Sequence, residues 1–168
     1  YTSGTLTITK RYVTLQLQDV SSVYGNSIVL NQGAYTVTEG SIYAGDEEDF
    51  TIYTNATRTS NVGTYNIYVG CSNPNYTLSS TGATLTISAR TITINLTRQY
   101  FVYGNPLNLN INAYTVTSGN IVGNDSLGLQ LTTDAQNGAN VGTYGIQFLG
   151  YSNNNYIGLE NIESGTGR

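Results

Sequence analysis

The chain says the same thing twice. VYG at 23–25 returns at 102–104, AYTVT at 34–38 returns at 113–117, NVGTY at 61–65 returns at 140–144, and TLTI stands at both 5–8 and 84–87. Each of these pairs is 79 residues apart. A constant offset over most of a period means two copies of one structural unit in series. The 168 residues therefore divide into two units of about eighty, each too small to bury more than a modest core. The repeat also sets a phase. The chain opens on a TLTI that belongs to the end of a unit, and its second unit stops before a TLTI of its own. The expected organisation is residues 1–8 as the terminal strand of a preceding or partner module, 9–88 as a first repeat, and 89–168 as a second repeat lacking its final strand.

Within each unit the apolar residues alternate with period two. Val13, Leu15 and Leu17 alternate with Thr14, Gln16 and Gln18, and Ile92, Ile94 and Leu96 alternate with Thr93, Asn95 and Thr97. That is the pattern of half-buried strands. Further strands are expected at Ile28 and Leu30 (Leu107 and Leu109 in the second copy), Tyr35 and Val37 (Tyr114 and Val116), and Phe50 and Ile52 (Leu129 and Leu131). Others are expected at Tyr65, Ile67 and Val69 (Tyr144, Ile146 and Phe148), and at Leu85 and Ile87. Clusters of Gly, Asn, Asp and Ser separate the runs, as turns require. No window has a helical period. The expectation is an all-β chain of two tandem immunoglobulin-like β-sandwich modules, with an N-terminal strand belonging to a preceding or neighbouring module. Tyr65 and Tyr144, each two residues after a glycine, stand where such sandwiches carry a tyrosine corner, with the ring folded inward and the hydroxyl bonded to backbone a few residues upstream. About three residues, Thr9–Arg11 and Ser88–Arg90, join the last strand of one unit to the first of the next. They contain no Gly or Pro, so the joint reads as stiff, as in a stalk or fibre.

In order, VYGN at 23–26, GD at 45–46, NVGTYNI at 61–67, NPNY at 73–76 and GATLTI at 82–87 resemble the MBG-type repeats, glycine-rich, mostly β modules found in tandem in large bacterial surface adhesins. The second copy carries VYGNP at 102–106, ND at 124–125, NVGTYGI at 140–146 and NNNY at 153–156. The resemblance covers nearly the whole chain and implies a non-catalytic extracellular array. The scarcity of lysine and the richness in Asn and Tyr depart from it and leave the ligand open.

The residue types exclude most chemistry. There is no histidine, so no Ser–His–Asp or Cys–His constellation exists. The six basic residues form no stripe and the formal net charge is −4, which argues against nucleic acid as a partner. No apolar run is long enough to span a bilayer and no amphipathic helix lies on one. The chain begins on Tyr1 with no leader-like stretch and reads as a mature product or an excised fragment. Cys71 has Tyr151 as its counterpart and reads as a small residue at a strand end rather than as half of a disulfide. Asp46, Glu47, Glu48 and Asp49 form a carboxylate run, and Asp46, Glu47 and Asp49 are weak candidates for a Ca²⁺ site. The matching stretch from Asp125 to Gly128 keeps one carboxylate, so a solvated turn is the simpler reading. No cofactor is expected.

Four N-glycosylation sequons occur, at Asn55, Asn75, Asn95 and Asn124. With 20 Asn and 39 Ser plus Thr, random placement alone yields about four to five, so their number is no sign of selection. Fifteen tyrosines open a second function, stacking on sugars. Those that recur between copies read as architecture. Tyr43, Tyr53, Tyr68 and Tyr151 do not recur and are the better candidates for an exposed face.

The phase of the ends carries the remaining expectation. SGTG at 164–167 resembles the loop before a final strand, so the second unit lacks that strand, while Thr5, Leu6, Thr7 and Ile8 form a final strand with no unit of their own. A neighbouring copy would supply the missing strand, head to tail, and such a contact does not close on itself. The expected function is an extracellular structural module of a surface adhesin stalk or fibre, whose partners are other copies or adjacent repeats. The alternative is a carbohydrate-binding module using exposed Tyr and Asn against a surface glycan.

Overall fold

The structure is a computed structural model and describes residues 1–159. The chain divides into two compact units, Tyr1–Ser88 and Ala89–Arg168, each considered by itself. It is all-β, with a short turn of 3-10 helix at Glu47–Asp49.

The first unit is sandwich-like. A three-stranded sheet is ordered β3 (Tyr35–Gly40), β1 (Arg11–Leu17), β6 (Tyr76–Thr81). A four-stranded sheet is ordered β2 (Val20–Val23), β7 (Ala83–Ser88), β5 (Gly63–Cys71), β4 (Phe50–Thr54). Both sheets are mixed: β1 runs parallel to β6 and β2 parallel to β7, while the other pairs are antiparallel. The alternation in β1 does what it should, burying Val13, Leu15 and Leu17. Val13, Leu15 and Tyr76 from one sheet meet Phe50 from the other, with Tyr35, Val69, Cys71 and Leu78 packed around them. The Phe50 and Tyr76 rings meet edge to face with centroids 5.2 Å apart, a favoured aromatic geometry.

Paired residues in the two units fold alike around one glycine. In β3, Val37 pairs with Leu15 and Glu39 with Thr14, which leaves Thr38 as an extra residue, a β-bulge. The Thr38 hydroxyl donates to the Thr14 carbonyl at 3.2 Å. Gly40 ends the strand at φ +75°, and a Cβ there would lie 2.1 Å from the Tyr12 carbonyl oxygen. The second unit repeats this with β10 (Tyr114–Ser118) against β9 (Thr93–Leu96), a bulge at Thr117 bonded to the Thr93 carbonyl at 3.2 Å, and Gly119 at φ +76°.

The second unit also holds β8 (Arg90–Thr91), parallel to β13 (Tyr156–Ile157), and β11 (Leu129–Thr133), antiparallel to β12 (Ile146–Tyr151). Its core contains Ile92, Ile94, Val122, Leu127, Leu129, Tyr156 and Leu159, all buried.

Several expectations need correction. Residues 28–31 and 107–110 are not strands. Ile28 and Leu30 alternate correctly against an exposed Val29. Among the described residues no strand pairs with them, and the nearby Gln32 amide meets the Ile52 backbone instead, N–H to Oε1 at 2.7 Å and Nε2 to the carbonyl at 2.9 Å. The reading by alternation also misses β2 and β6, whose VSSV and YTLSST are too polar to show a period and form through backbone pairing with β7 and β1. Tyr144 lies outside β12. The 79-residue offset becomes 80 after Phe148, as Tyr76 against Tyr156 shows. The extra residue, Leu149, is taken up as a bulge in the β11–β12 pair and is 65% exposed. The expected absence of a final strand in the second unit concerns residues that lie outside the described ones.

Candidate functional site

The most informative site is the slot that holds TLTI in the first unit. Strand β7 is a central strand. Val20–Val23 pair along one edge in parallel, and Gly63–Ile67 pair along the other in antiparallel register. Leu85 and Ile87 are fully buried, and Thr84 and Thr86 lie on the opposite face. Both ends are fastened. The Thr84 N–H donates to the Asp19 carboxylate at 2.8 Å, the Tyr24 N–H donates to the Ser88 carbonyl at 2.9 Å, and the Ser88 hydroxyl donates to the Ser22 carbonyl at 3.2 Å.

The same four residues at the amino terminus have no such slot in their own unit. Thr5, Leu6, Thr7 and Ile8 belong to no strand, and Leu6 and Ile8 are 89% and 88% exposed. Two β-prone apolar side chains presented to solvent in an otherwise polar segment are a ready strand for another sheet's edge.

The carboxylate run has structural work. The Tyr76 hydroxyl donates to Asp46 Oδ2 at 2.8 Å and accepts from the Tyr43 N–H at 2.8 Å. In the second unit Tyr156 donates to Asp125 Oδ2 at 2.8 Å and accepts from the Val122 N–H at 2.8 Å. Burial lifts the Tyr76 phenol above its ordinary value; the Tyr43 N–H opposes that shift and the adjacent Asp46 carboxylate reinforces it. Glu47 Oε2 accepts from the Gly45 N–H, and Asp49 Oδ2 accepts from the Asn73 side-chain amide, each at 2.8 Å. Among the described residues no three acidic, histidine or cysteine side chains gather as a cation would need, so Asp46, Glu47 and Asp49 are not assembled into a Ca²⁺ site. The aspartate–tyrosine clasp was missed from sequence, although its signal was there: GD or ND and N-x-N-Y occur in both copies. The latter motif is an Asx turn, in which Asn73 Oδ1 accepts from the Asn75 N–H at 3.0 Å and Asn153 Oδ1 from the Asn155 N–H at 3.1 Å.

The Tyr65 hydroxyl donates to the Asn61 carbonyl at 2.7 Å, and Tyr144 to the Asn140 carbonyl at 2.9 Å. Tyr65 is half-buried, on the same face of β5 as the buried Ile67, and Tyr144 is 41% exposed. Asn55, Asn75, Asn95 and Asn124 are all on the surface. Cys71 is half-buried at the end of β5, its Sγ 3.6 Å from the Asn73 carbonyl. Of the unmatched tyrosines, Tyr43, Tyr53 and Tyr68 are exposed, while Tyr151 is half-buried beside Phe148. Among the described residues no helix is long and apolar enough to cross a membrane.

The turn VYGN ties these features to a named pattern. The Asn26 N–H donates to the Val23 carbonyl, and Gly25 sits at φ +82°; the second copy repeats this with Asn105, Val102 and Gly104 at φ +85°. A β-turn with positive φ at its third residue calls for glycine there. A family model described as MBG domain (YGX type) matches residues 13–86 and again residues 92–158. No curated protein and no solved structure matches the chain.

Proposed function

We propose that this chain, which belongs to the MBG family of YGX-type domains, is an extending module of an extracellular stalk or fibre, with no catalytic role, joined head to tail by strand complementation through residues 1–8. MBG repeats are structural modules of bacterial surface proteins, the setting this reading assumes. One observation carries it: the string Thr-Leu-Thr-Ile is buried between two strands at 84–87 and lies exposed at 5–8. The spacing agrees. One residue, Ala89, separates β7 from β8, and Lys10 alone would separate a donated Thr5–Thr9 strand from β1. A contact of this kind uses different surfaces on donor and acceptor, so it propagates into a filament.

Amide hydrogen exchange tests it. In concentrated solution Thr5–Thr9 should exchange as slowly as the β7 amides, and on dilution they should exchange at the rate of open chain. Fast exchange at every concentration overturns the reading.

A second reading rests on Tyr53 and Tyr68. Their rings are 5.4 Å apart, 47% and 39% exposed, and neighbours on the outer face of β4 and β5. An exposed aromatic pair of this sort is a platform for the apolar face of a sugar ring. Loss of oligosaccharide binding in Tyr53→Ala and Tyr68→Ala would support it; binding unchanged by both, or absent from the unaltered protein, would dismiss it.

A further inference from the structure

We propose that the second unit carries the acceptor, a groove between residues 99–104 and 139–146 that takes Thr5–Thr9 of a second copy as a central strand; this rests on the assembly reading above. In the first unit the side chains around β7 are sealed: Leu17, Tyr24 and Ile67 are 6%, 4% and 1% exposed. Their counterparts in the second unit are open. Tyr103 is 68% exposed, and Leu96 and Ile146 are only half-buried. Val141 is 93% exposed where Val62 is 39%. The two backbone segments that flank β7 in the first unit, Val20–Val23 and Gly63–Ile67, match residues 99–102 and 142–146, of which only Ile146, the first residue of β12, is in a strand. Between them runs a groove of about 550 Å³ lined by Leu96, Tyr103, Tyr144 and Ile146 among others.

The occupant follows from the first unit. Thr5-Leu6-Thr7-Ile8 is identical to Thr84-Leu85-Thr86-Ile87, with a small residue before it (Gly4 for Ala83) and a hydroxyl residue after it (Thr9 for Ser88). Carrying over the register of β7, Leu6 lies opposite Tyr144 on one side and Gln99 on the other. Thr7 then lies opposite Thr143 and Tyr100, and Ile8 opposite Gly142 and Phe101. The Tyr103 N–H bonds the Thr9 carbonyl as the Tyr24 N–H bonds that of Ser88. One fastening is not inherited: Arg98 stands where Asp19 accepts from the Thr84 N–H.

The register is testable by cross-linking. Thr7 and Thr143 are both exposed, so Thr7→Cys and Thr143→Cys leave the core intact. Directly opposed antiparallel residues lie at Cα separations a disulfide spans. In a Cys71→Ala background the double variant should oxidise to a ladder of covalent oligomers, and a control pairing Thr7→Cys with Gln147→Cys should not. Assembly into large particles without that ladder overturns the groove and leaves the assembly reading standing. A chain that stays monomeric and uncross-linked overturns both. A disulfide formed within one chain overturns the second copy as occupant.

Discussion

Gly40→Val is expected to remove on the order of 3–5 kcal/mol from the first unit, a large part of the roughly 4–12 kcal/mol that an ~80-residue domain has to lose. Two effects add. At φ +75° any L side chain pays about 1–2 kcal/mol of torsional strain. The new Cβ would also sit 2.1 Å from the Tyr12 carbonyl oxygen and 3.2 Å from the Val13 Cα, and these are backbone atoms of the strand at the centre of the sheet. They cannot swing aside as a side-chain tip can. Relief requires β3 to part from β1 at the bulge, which uncovers Val13 and Leu15. Gly119→Val should act in the same way on the second unit, where the nearest backbone atom is the Thr91 carbonyl oxygen at 2.5 Å. Gly45→Val separates the two effects: its φ is +100°, with nothing within 4 Å of the added Cβ, so only the strain remains. Urea unfolding of the three variants measures this. A Gly40→Val stability within about 1 kcal/mol of the unaltered protein would contradict the packing assigned to the bulge.

The elements that read clearly from sequence are those whose side chains alone carry the period. Val13, Leu15 and Leu17 in β1, Phe50 and Ile52 in β4, and Leu85 and Ile87 in β7 each bury one face, and alternation exposes that. β2 and β6 are invisible to the same reasoning because backbone pairing with β7 and β1 holds them, and Ser and Thr on both faces write no pattern. Residues 28–30 fail in the opposite sense. Their alternation reports half-burial, not a ladder, and the ladder position beside Ile52 goes to the Gln32 amide. The insertion at Leu149 was hidden because the motifs on either side still match. At the candidate site, the unpaired TLTI at 5–8 was legible from phase alone. The clasp between Asp46 and Tyr76 left only the recurrence of GD or ND and N-x-N-Y as a signal, because the two are 30 residues apart in sequence and only the fold brings a turn carboxylate onto a buried phenol.

Removing residues 1–8 should leave both units folded and abolish assembly. The first unit loses nothing by it, since Leu6 and Ile8 are exposed and the buried core of that unit starts at Val13. Assembly by strand donation, as proposed, would lose everything that drives it. Burying Leu6 and Ile8 in a partner is worth about 1.5–3 kcal/mol each. The donated backbone adds hydrogen bonds on both edges, at about 0.5–1.5 kcal/mol apiece. Against these stands an association cost of roughly 4–15 kcal/mol, so the truncated chain has no margin left to associate. A synthetic peptide of residues 1–11 should occupy the truncated chain without linking it to anything, and should shorten the polymers of the intact chain by capping their free grooves.

Sedimentation velocity of the intact and truncated chains, side by side over a range of concentrations, is the direct test. The account predicts a broad, concentration-dependent series of polymers for the intact chain and a single monomeric boundary for the truncated one, with equal urea midpoints at dilutions where the intact chain is monomeric. An intact chain that remains a monomer at high concentration, or a truncated chain that polymerises as the intact one does, would contradict it.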